Sequence, residues 1–168
     1  MTNPTPAEDT AVLRELLARY FAAIDGHTLN TVIVEAVFAD DAQLVRPNGS
    51  AMTGAAEILV GQTCSFTRFR ATHHVSSDHI VDLDRDTDPV VPTARIRANL
   101  VATHLWAHPD AEPQGTDPNA LAEYFIAGGV LHAQARRSSV GWRLHRLELR
   151  NTWRTGSGFD AMAHTGAA

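Results

Sequence analysis

The chain lacks the features that mark disulfide-linked, membrane-spanning or secreted proteins. Of its 168 residues only Cys64 is a cysteine, so no disulfide can form within the chain. No apolar run approaches the ~20 residues that a membrane-spanning helix needs. Residues 1–6 also lack the basic and apolar regions of a secretory signal peptide. We therefore expect a cytoplasmic protein without a membrane partner.

The chain also lacks an excess of basic residues. It carries 14 Lys and Arg against 19 Asp and Glu, which gives a net charge of -5 at pH 7. Nucleic acids and anionic lipid surfaces attract basic stripes, so we expect neither as a partner. Hydrophobic residues make up 44% and charged residues 20%, which is typical of a globular domain. We predict a single domain over residues 1–168, with its core at about 7–156 and flexible tails.

The first helix has a well-marked start and end. Thr5-Pro6-Ala7-Glu8 places a hydroxyl at the cap, proline at the first helical position and glutamate three residues after the cap. Apolar residues then recur at helical spacing, namely Leu13, Leu16, Leu17, Tyr20, Phe21 and Ile24. Gly26 is predicted to end the helix. Asp25 would then lie at its carboxyl end, where the helix dipole disfavours an anion, so its carboxylate needs compensating partners.

The rest of the sequence predicts two further helices and then a set of long strands. Helical spacing indicates helices over about 29–38 and 55–69, with Asp40-Asp41 ending the first of them. A short strand and a turn are expected between the two helices, at 43–47 and 47–50. Alternating polarity indicates four long strands, at about 72–83, 93–106, 121–137 and 142–153. Tight connections are predicted at 84–87 and 138–141, and an exposed loop at 108–119.

Helices followed by a meander of strands indicate an α+β fold. The sheet must bend to enclose its apolar face, and the helices then close the open side. We expect a cone-shaped α+β barrel, with three N-terminal helices packed on a strongly curved, mixed, mostly antiparallel sheet. The interior of such a cone is a usual place for a ligand, so we predict a small apolar molecule in an internal cavity as the partner.

His104 is the most informative single residue. In the run 93–106 it shares one strand face with apolar side chains, namely Ile96, Ala98, Leu100, Ala102 and Trp106. A titratable group in such surroundings needs a polar partner or a chemical role. His104 could protonate a departing hydroxyl or donate to a substrate oxygen. Alternatively, it is a core histidine bonded to a backbone carbonyl or to Asp25.

Six short segments carry a resemblance to a known family. They are Tyr20 with Ile24-Asp25-Gly26, Phe38-Ala39-Asp40-Asp41-Ala42, Thr72-His73-His74-Val75, Val101-Ala102-Thr103-His104, Gly128-Gly129-Val130-Leu131-His132 and Gly141-Trp142-Arg143-Leu144. In order and spacing, over about residues 7–156, they resemble the SnoaL-like branch of the nuclear-transport-factor-2-like superfamily. That branch is similar to scytalone dehydratase and the bile-acid 7α-dehydratases. The fold hosts several reactions and also non-enzymes, so the resemblance implies the fold more specifically than the reaction.

The resemblance implies a pair of acid–base residues. In the dehydratases an aspartate at the end of the first helix pairs with a histidine on the following long strand, and Asp25 and His74 occupy those places. A second histidine on the next strand corresponds to His104, and Tyr20 resembles the tyrosine of the bile-acid enzymes. The structural alternative is an aspartate that caps its own helical turn and a histidine satisfied within the sheet. The resemblance also implies a homodimer that pairs through the outer sheet faces.

Two positions depart from the family pattern and weaken the transfer of a particular substrate. Leu131 stands where many relatives have a tyrosine, and Ile24 stands where the scytalone enzyme has a tyrosine directly before its aspartate. The predicted substrate-binding residues are His73, Trp106, Phe21, Leu131 and Ile24.

Strand alternation and the family pattern disagree over which histidine faces the interior. Alternation places His73 on the face of Val81 and Leu83, and His74 on the more polar face. The family pattern Thr-x-His-apolar instead favours His74. A β-bulge within the strand would reverse the alternation and reconcile the two indications. We predict that His74 faces the cavity.

Together these residues favour a lyase that works without a cofactor. We predict that His74 removes a proton next to a carbonyl, Asp25 orients His74, Tyr20 stabilises the enolate-like charge and His104 assists the leaving oxygen. The expected reaction is loss of water from a small, largely apolar hydroxy-carbonyl compound that is polyketide- or steroid-like. The alternatives are a ketosteroid-isomerase-type isomerase or polyketide cyclase, and a non-catalytic binding domain.

A metal site is the remaining interpretation of His73, His74, His104 and Asp25. Three imidazoles and a carboxylate suit zinc or iron in principle. The sequence contains no Cys-x-x-Cys motif and no His-x-x-x-His pair on a predicted helix. We therefore expect no metal and no other cofactor.

Overall fold

A computed structural model describes residues 4–84, 91–107 and 123–157. Within these residues, three helices and six strands make an α+β fold. In chain order they are α1 (Pro6–Asp25), α2 (Thr31–Val37), β1 (Phe38–Val45), β2 (Ala51–Thr53), α3 (Ala55–Phe66), β3 (Phe69–Asp84), β4 (Thr93–Trp106), β5 (Tyr124–Ser138) and β6 (Gly141–Gly156). None of the three helices in the described residues is long and apolar enough to cross a bilayer.

Helix α1 begins and ends where its sequence predicts. The side-chain oxygen of Thr5 accepts from the backbone N–H of Glu8, and the Glu8 carboxylate accepts from the backbone N–H of Thr5 at 2.7 Å. This reciprocal pairing satisfies donors that have no partner inside the helix. The helix ends at Asp25, and the N–H of Gly26 donates to the carbonyl of Ala22. The left-handed residue that follows is His27, not the glycine.

The six strands form one mixed sheet in the order β2-β1-β6-β5-β4-β3. β1 and β6 are parallel, and the other neighbours are antiparallel. The sheet is not closed, because β2 and β3 are its two edges. The apolar stripe of α1 and the inner faces of the strands share one core, which confirms the expected arrangement of helices on a mostly antiparallel sheet.

The first strand differs most from the sequence prediction. β1 begins at Phe38, and Asp40 and Asp41 lie inside it as exposed residues instead of ending a helix. Both acidic residues face solvent, while Ala42 and Leu44 are buried, so burial on one face offsets the poor strand propensity of aspartate. A turn was expected at 47–50, with no strand after it. The structure instead has the three-residue strand β2 there, antiparallel to β1.

The long strands agree more closely with the prediction. β4 has the predicted bounds, and its residues alternate between buried and more exposed positions along its length. β3 starts at Phe69 within the range predicted as helix, and β6 continues to Gly156, where a tail was expected. The predicted loop at 108–119 lies outside the described residues, as do 85–87 of the first predicted connection and most of both predicted tails.

Candidate active site

Asp25 projects from the end of α1 onto strand β3. Its Oδ1 accepts a hydrogen bond from the Thr72 hydroxyl at 2.8 Å, and its Oδ2 accepts from the backbone N–H of His74 at 2.8 Å. A third contact joins Oδ1 to Nδ1 of the His74 ring at 2.6 Å. These partners provide the compensation that an acid at a helix carboxyl end requires.

The same contacts keep Asp25 ionised. Burial alone would raise the pKa of this carboxyl, but the hydrogen bonds from the His74 side chain, the His74 backbone and Thr72 outweigh it. The pKa of Asp25 therefore falls from 3.8 to about 2. An ionised carboxylate only accepts hydrogen bonds, so the ring nitrogen that faces it must carry a proton.

His74 is consequently held with its second ring nitrogen free. With the proton on Nδ1, Nε2 of a neutral ring carries the lone pair and can accept a proton. Nε2 has no hydrogen-bond partner within the described part of the chain, and the ring lines the cavity. The ring stacks on Phe21, with centroids 5.2 Å apart and planes 14° from parallel, which fixes its orientation.

A bulge in β3 explains why His74, and not His73, faces inward. The pairing with β4 shifts between Ser77 and Ile80, and Asp78 adopts a left-handed φ of 52° at that point. Val81 lies beyond the shift and packs against the core, although it has the same parity as His73. His73 is exposed on the outer face, so the prediction that it contacts substrate in the cavity is wrong.

His104 lies next to His74 on the inner face of the sheet. The two ring centroids are 5.4 Å apart and the rings are nearly perpendicular. The His104 ring stacks on Phe125 at 4.2 Å and contacts Phe69 at 4.7 Å. Nδ1 of His104 is buried without a well-formed hydrogen bond among the described residues. Burial, followed by the nearby His74, lowers its pKa from 6.5 to about 3, so the ring is neutral near pH 7.

Tyr20 is buried on α1, and its phenol oxygen accepts a hydrogen bond from the side-chain amide of Gln62 on α3. Burial raises the pKa of Tyr20 above its ordinary value, so the phenol keeps its proton. Because the Gln62 amide uses an oxygen lone pair, the O–H of Tyr20 can still donate to another oxygen.

A cavity of about 510 Å³ joins these groups. Its inner wall is mostly apolar and aromatic, and its lining includes Tyr20, Phe21, Ile24, His74 and His104. Asp25 lies behind His74 and does not line the cavity. Such a volume suits a small organic molecule.

Two further predicted contacts do not line the cavity. Trp106 packs behind the wall against Phe69 and Phe125, at 4.8 and 5.6 Å between ring centroids, and its indole N–H donates to the carbonyl of Ser157. Leu131 is fully buried in the main core. Both face inward as alternation requires, but other side chains separate them from the cavity.

Sequence reasoning missed the polar residues of the lining other than Tyr20, His74 and His104, among them Gln62 and Arg46. Gln62 follows the buried Ile58 by one helical turn, so a polar side chain on the buried stripe of α3 was the available signal. Arg46 sits beside a turn and gave no such signal. In the described ranges, no three side chains of the His, Cys, Asp or Glu type are grouped closely enough to hold a metal ion.

Comparison with protein families identifies the domain. The family model of the SnoaL-like domain matches residues 5–148 of this chain, which include Tyr20, Asp25, Gln62, His74 and His104. No curated protein is significantly similar to the chain.

Solved structures share the fold at low sequence identity. A nuclear-transport-factor-2-like superfamily protein from Salmonella enterica is 12% identical, with a TM-score of 0.68 and coverage of 92% of this chain and 98% of that chain. A provisionally assigned scytalone dehydratase from Novosphingobium aromaticivorans is 18% identical, with a TM-score of 0.66 and coverage of 90% and 92%. The hexachlorocyclohexane dehydrochlorinase LinA-type3 from Novosphingobium barchaimii is 11% identical, with a TM-score of 0.66 and coverage of 90% and 92%. At these identities the likeness establishes the fold alone.

Proposed function

This chain belongs to the SnoaL-like domain family, and from that premise we propose that it is a lyase acting on a small hydroxy-carbonyl compound. The observation that supports the proposal best is the 2.6 Å contact between Asp25 and Nδ1 of His74, with the opposite edge of the ring on the cavity. Two of the solved structures with this fold carry names of enzymes that catalyse eliminations. The expected reaction is loss of water from the carbon next to an acidic C–H.

His74 acts as the general base. Nε2 takes the proton from the carbon beside the carbonyl, and the electron pair of the C–H bond passes to the carbonyl oxygen as an enolate. Asp25 holds the ring in the required tautomer and stabilises the positive charge that the ring acquires. A base held in this way typically contributes ~100 to 10,000-fold in rate.

The departing oxygen then needs a proton. Burial holds the pKa of His104 near 3, so its ring carries no extra proton near pH 7 and is a poor general acid. The His74 imidazolium formed in the first step supplies the proton instead. The enolate electron pair returns, the C–O bond breaks, the oxygen leaves as water and His74 is neutral again. In this scheme His104 is a hydrogen-bonding partner of the leaving oxygen, which is the second of the two roles expected for it.

Tyr20 stabilises the enolate. Its phenol keeps its proton because the group is buried, and its O–H can donate to the oxygen on which charge collects. The Gln62 amide, by donating to the phenol oxygen, fixes the direction of that O–H. The aromatic lining supplied by Phe21, Phe66 and Phe125 favours a largely apolar substrate, such as a polyketide- or steroid-like molecule.

Measurement of proton loss and water loss tests the reaction. Purified protein is mixed with a panel of β-hydroxy ketones in D₂O, and enone absorbance and deuterium uptake at the α-carbon are followed. For a substrate that turns over, we expect His74→Gln and Asp25→Asn each to lower the rate by ~100-fold or more. His73→Gln is the matched control, because this histidine is adjacent in sequence and lies on the outer face. Full activity in the first two variants would refute the mechanism.

The same experiment separates the alternatives. Deuterium uptake without loss of water would indicate an isomerase or cyclase, which returns the proton to carbon. Binding without exchange would indicate a non-catalytic binding domain. An Asp25 carboxylate out of reach of both histidines would favour that last alternative, and the 2.6 Å contact between Asp25 and His74 does not meet this criterion.

We further propose a homodimer that pairs through the outer face of the sheet. Val75 and Val101 are paired across β3 and β4 on that face, and both are substantially exposed, by 49% and 40%. Light scattering coupled to size-exclusion chromatography tests this directly, with Val75→Asp and Val101→Asp expected to shift the mass to that of a monomer.

A further inference from the structure

The residues that line the cavity include three arginines, namely Arg46, Arg68 and Arg154. The part of the lining that holds Arg46 and Arg68, both partly buried, is called the rim. The lining includes Arg46, which follows β1, and Arg68, which follows α3. None of the described residues that line the cavity is an aspartate or a glutamate. This lack of acidic residues contrasts with the net charge of -5 of the whole chain. The rim is therefore a local positive site on an acidic protein.

Arg46 is held in place without a carboxylate. Its Nη2 donates to the carbonyl of Gly61 and to the hydroxyl of Ser65, both at 2.8 Å, and contacts the sulfur of Met52 at 3.3 Å. Its Nε and Nη1 have no hydrogen-bond partner, and its guanidinium has no ion pair, within the described part of the chain. α3 thus orients a partly buried guanidinium whose remaining donors are available to a ligand.

The guanidinium of Arg68 has no hydrogen bond or ion pair among the described residues, and only its backbone carbonyl is paired, with the N–H of Ala107. Its guanidinium carbon lies 6.0 Å from the centre of the Phe69 ring. Partial burial, followed by the charge of Arg46, lowers the pKa of Arg68. Two like charges held near each other and partly shielded from water are unfavourable until an anion lies between them.

We propose that this rim binds an oxyanion, a carboxylate or a phosphate, carried by the substrate itself. The inference rests on the proposed function and narrows its substrate class from a neutral hydroxy-carbonyl compound to an acidic one. The apolar part of the molecule fills the aromatic interior beside His74, and the anionic group remains at the rim on Arg46 and Arg68. Planar guanidinium groups suit carboxylate and phosphate oxygens, because each can donate two parallel hydrogen bonds.

Three matched aromatic probes test the proposal without any turnover. They are 2-naphthoic acid, its neutral methyl ester and 2-naphthyl phosphate, each titrated into the full chain by calorimetry. A charge-assisted bidentate contact predicts that at least one of the two anions binds ~10-fold or more tightly than the ester. The tighter of the two anions identifies the source of the oxyanion, a carboxylate of the substrate or a phosphate attached to it. High salt should weaken binding of the anion and leave binding of the ester unchanged.

Charge-neutral variants locate the anion. Arg68→Gln loses no hydrogen bond or ion pair among the described residues, so it should fold normally and remove most of the preference for the anion. Arg46→Gln should do the same where it folds. Arg70→Gln is the matched control, since this exposed arginine lies nearby on β3 and its loss changes the net charge equally. The control should keep the preference.

Two results would overturn the inference. One is equal affinity of the protein for both anions and the ester. The other is an equal loss of anion preference in Arg70→Gln and Arg68→Gln, which would indicate a general field effect. Failure of the proposed function would look different: turnover would be absent, or unchanged in His74→Gln, while the anion preference would remain. Anion preference without any elimination would leave this inference intact and refute the lyase.

Discussion

Replacing Asp25 by Asn should remove stability that the wild-type protein has above about pH 4 and loses at about pH 2. The folded protein holds the pKa of Asp25 at about 2, against an ordinary value of 3.8. A carboxyl with a depressed pKa stabilises the folded state where it is ionised in both states. That contribution is complete above the pKa of the unfolded chain and declines as the pH falls towards the pKa of the folded chain.

The size of the effect follows from the contacts. A shift from 3.8 to about 2 corresponds to roughly 2.5 kcal/mol, at about 1.4 kcal/mol for each pKa unit. The Asp25 side chain is 20% exposed, so solvent screening reduces this figure to about 1–2 kcal/mol. Asparagine cannot accept from all three donors of Thr72 and His74, and its amide group opposes one of them. The variant should therefore be less stable near neutral pH by at least this amount.

Urea unfolding of both proteins at about pH 7 and about pH 2.5 measures the effect. The difference in unfolding free energy between wild type and Asp25→Asn should shrink by about 1 kcal/mol or more on acidification. Asp40→Asn is the control, since Asp40 is exposed and has no side-chain hydrogen bond or ion pair among the described residues; it should show no such change. A difference between wild type and Asp25→Asn that is constant with pH would mean that the folded state does not favour the Asp25 carboxylate.

Four further substitutions test the site and the sheet around it. His104→Phe should keep the aromatic stacking and remove a buried nitrogen that lacks a well-formed hydrogen bond, so stability near pH 7 should stay equal or rise by up to ~1 kcal/mol while turnover falls. It should also reduce the loss of stability below about pH 6.5, where the unfolded histidine gains a proton that the folded one excludes; urea unfolding against pH measures both effects. Tyr20→Phe should cost about 1–3 kcal/mol because it leaves the buried Gln62 amide without its acceptor. Addition of Gln62→Leu should recover part of that loss, and a double-mutant cycle of unfolding free energies would detect this coupling. Gly129→Ala should destabilise by about 2 kcal/mol or more, because the backbone carbonyl of Arg150 occupies the space of the new Cβ; thermal unfolding that matches wild type would contradict this.

Elements with strong local signals could be predicted from the sequence. The capping box at Thr5 and Glu8 fixes the start of α1, since all the interacting groups lie within one turn. The strict alternation of β4 reflects one buried face over its whole length, and it placed His104 on the inner face. The family resemblance is confirmed by the SnoaL-like match, and it correctly indicated the arrangement of helices and sheet.

Elements that depend on distant contacts could not be predicted. The strand state of Asp40 and Asp41 is imposed by pairing of β1 with β2 and β6, which overrides their poor propensity. The inward orientation of His74 depends on a bulge at Asp78, where no glycine signals the left-handed backbone. A second shift of register falls between the adjacent glycines of β5, Gly128 and Gly129.

The candidate site could likewise be predicted only in part, because some of its contacts have a local sequence signal and others join distant residues. The resemblance placed Asp25 beside a histidine of β3. It could not distinguish Phe21, which lines the cavity, from Trp106, which also faces inward but lies behind other aromatic rings. The pairing of Tyr20 with Gln62 spans 42 positions of sequence and has no local pattern. The assigned roles, the cytoplasmic location and the homodimer remain predictions.

Nitrogen-15 NMR of the histidine rings tests the central claim most directly, namely that Asp25 holds His74 with a free basic nitrogen towards the cavity. At about pH 8, long-range proton–nitrogen spectra should show His74 with a protonated Nδ1 and an unprotonated Nε2. The Nδ1 proton should resonate at low field and disappear in Asp25→Asn. A His74 ring protonated on Nε2, or one whose spectrum is unchanged in Asp25→Asn, would contradict the account.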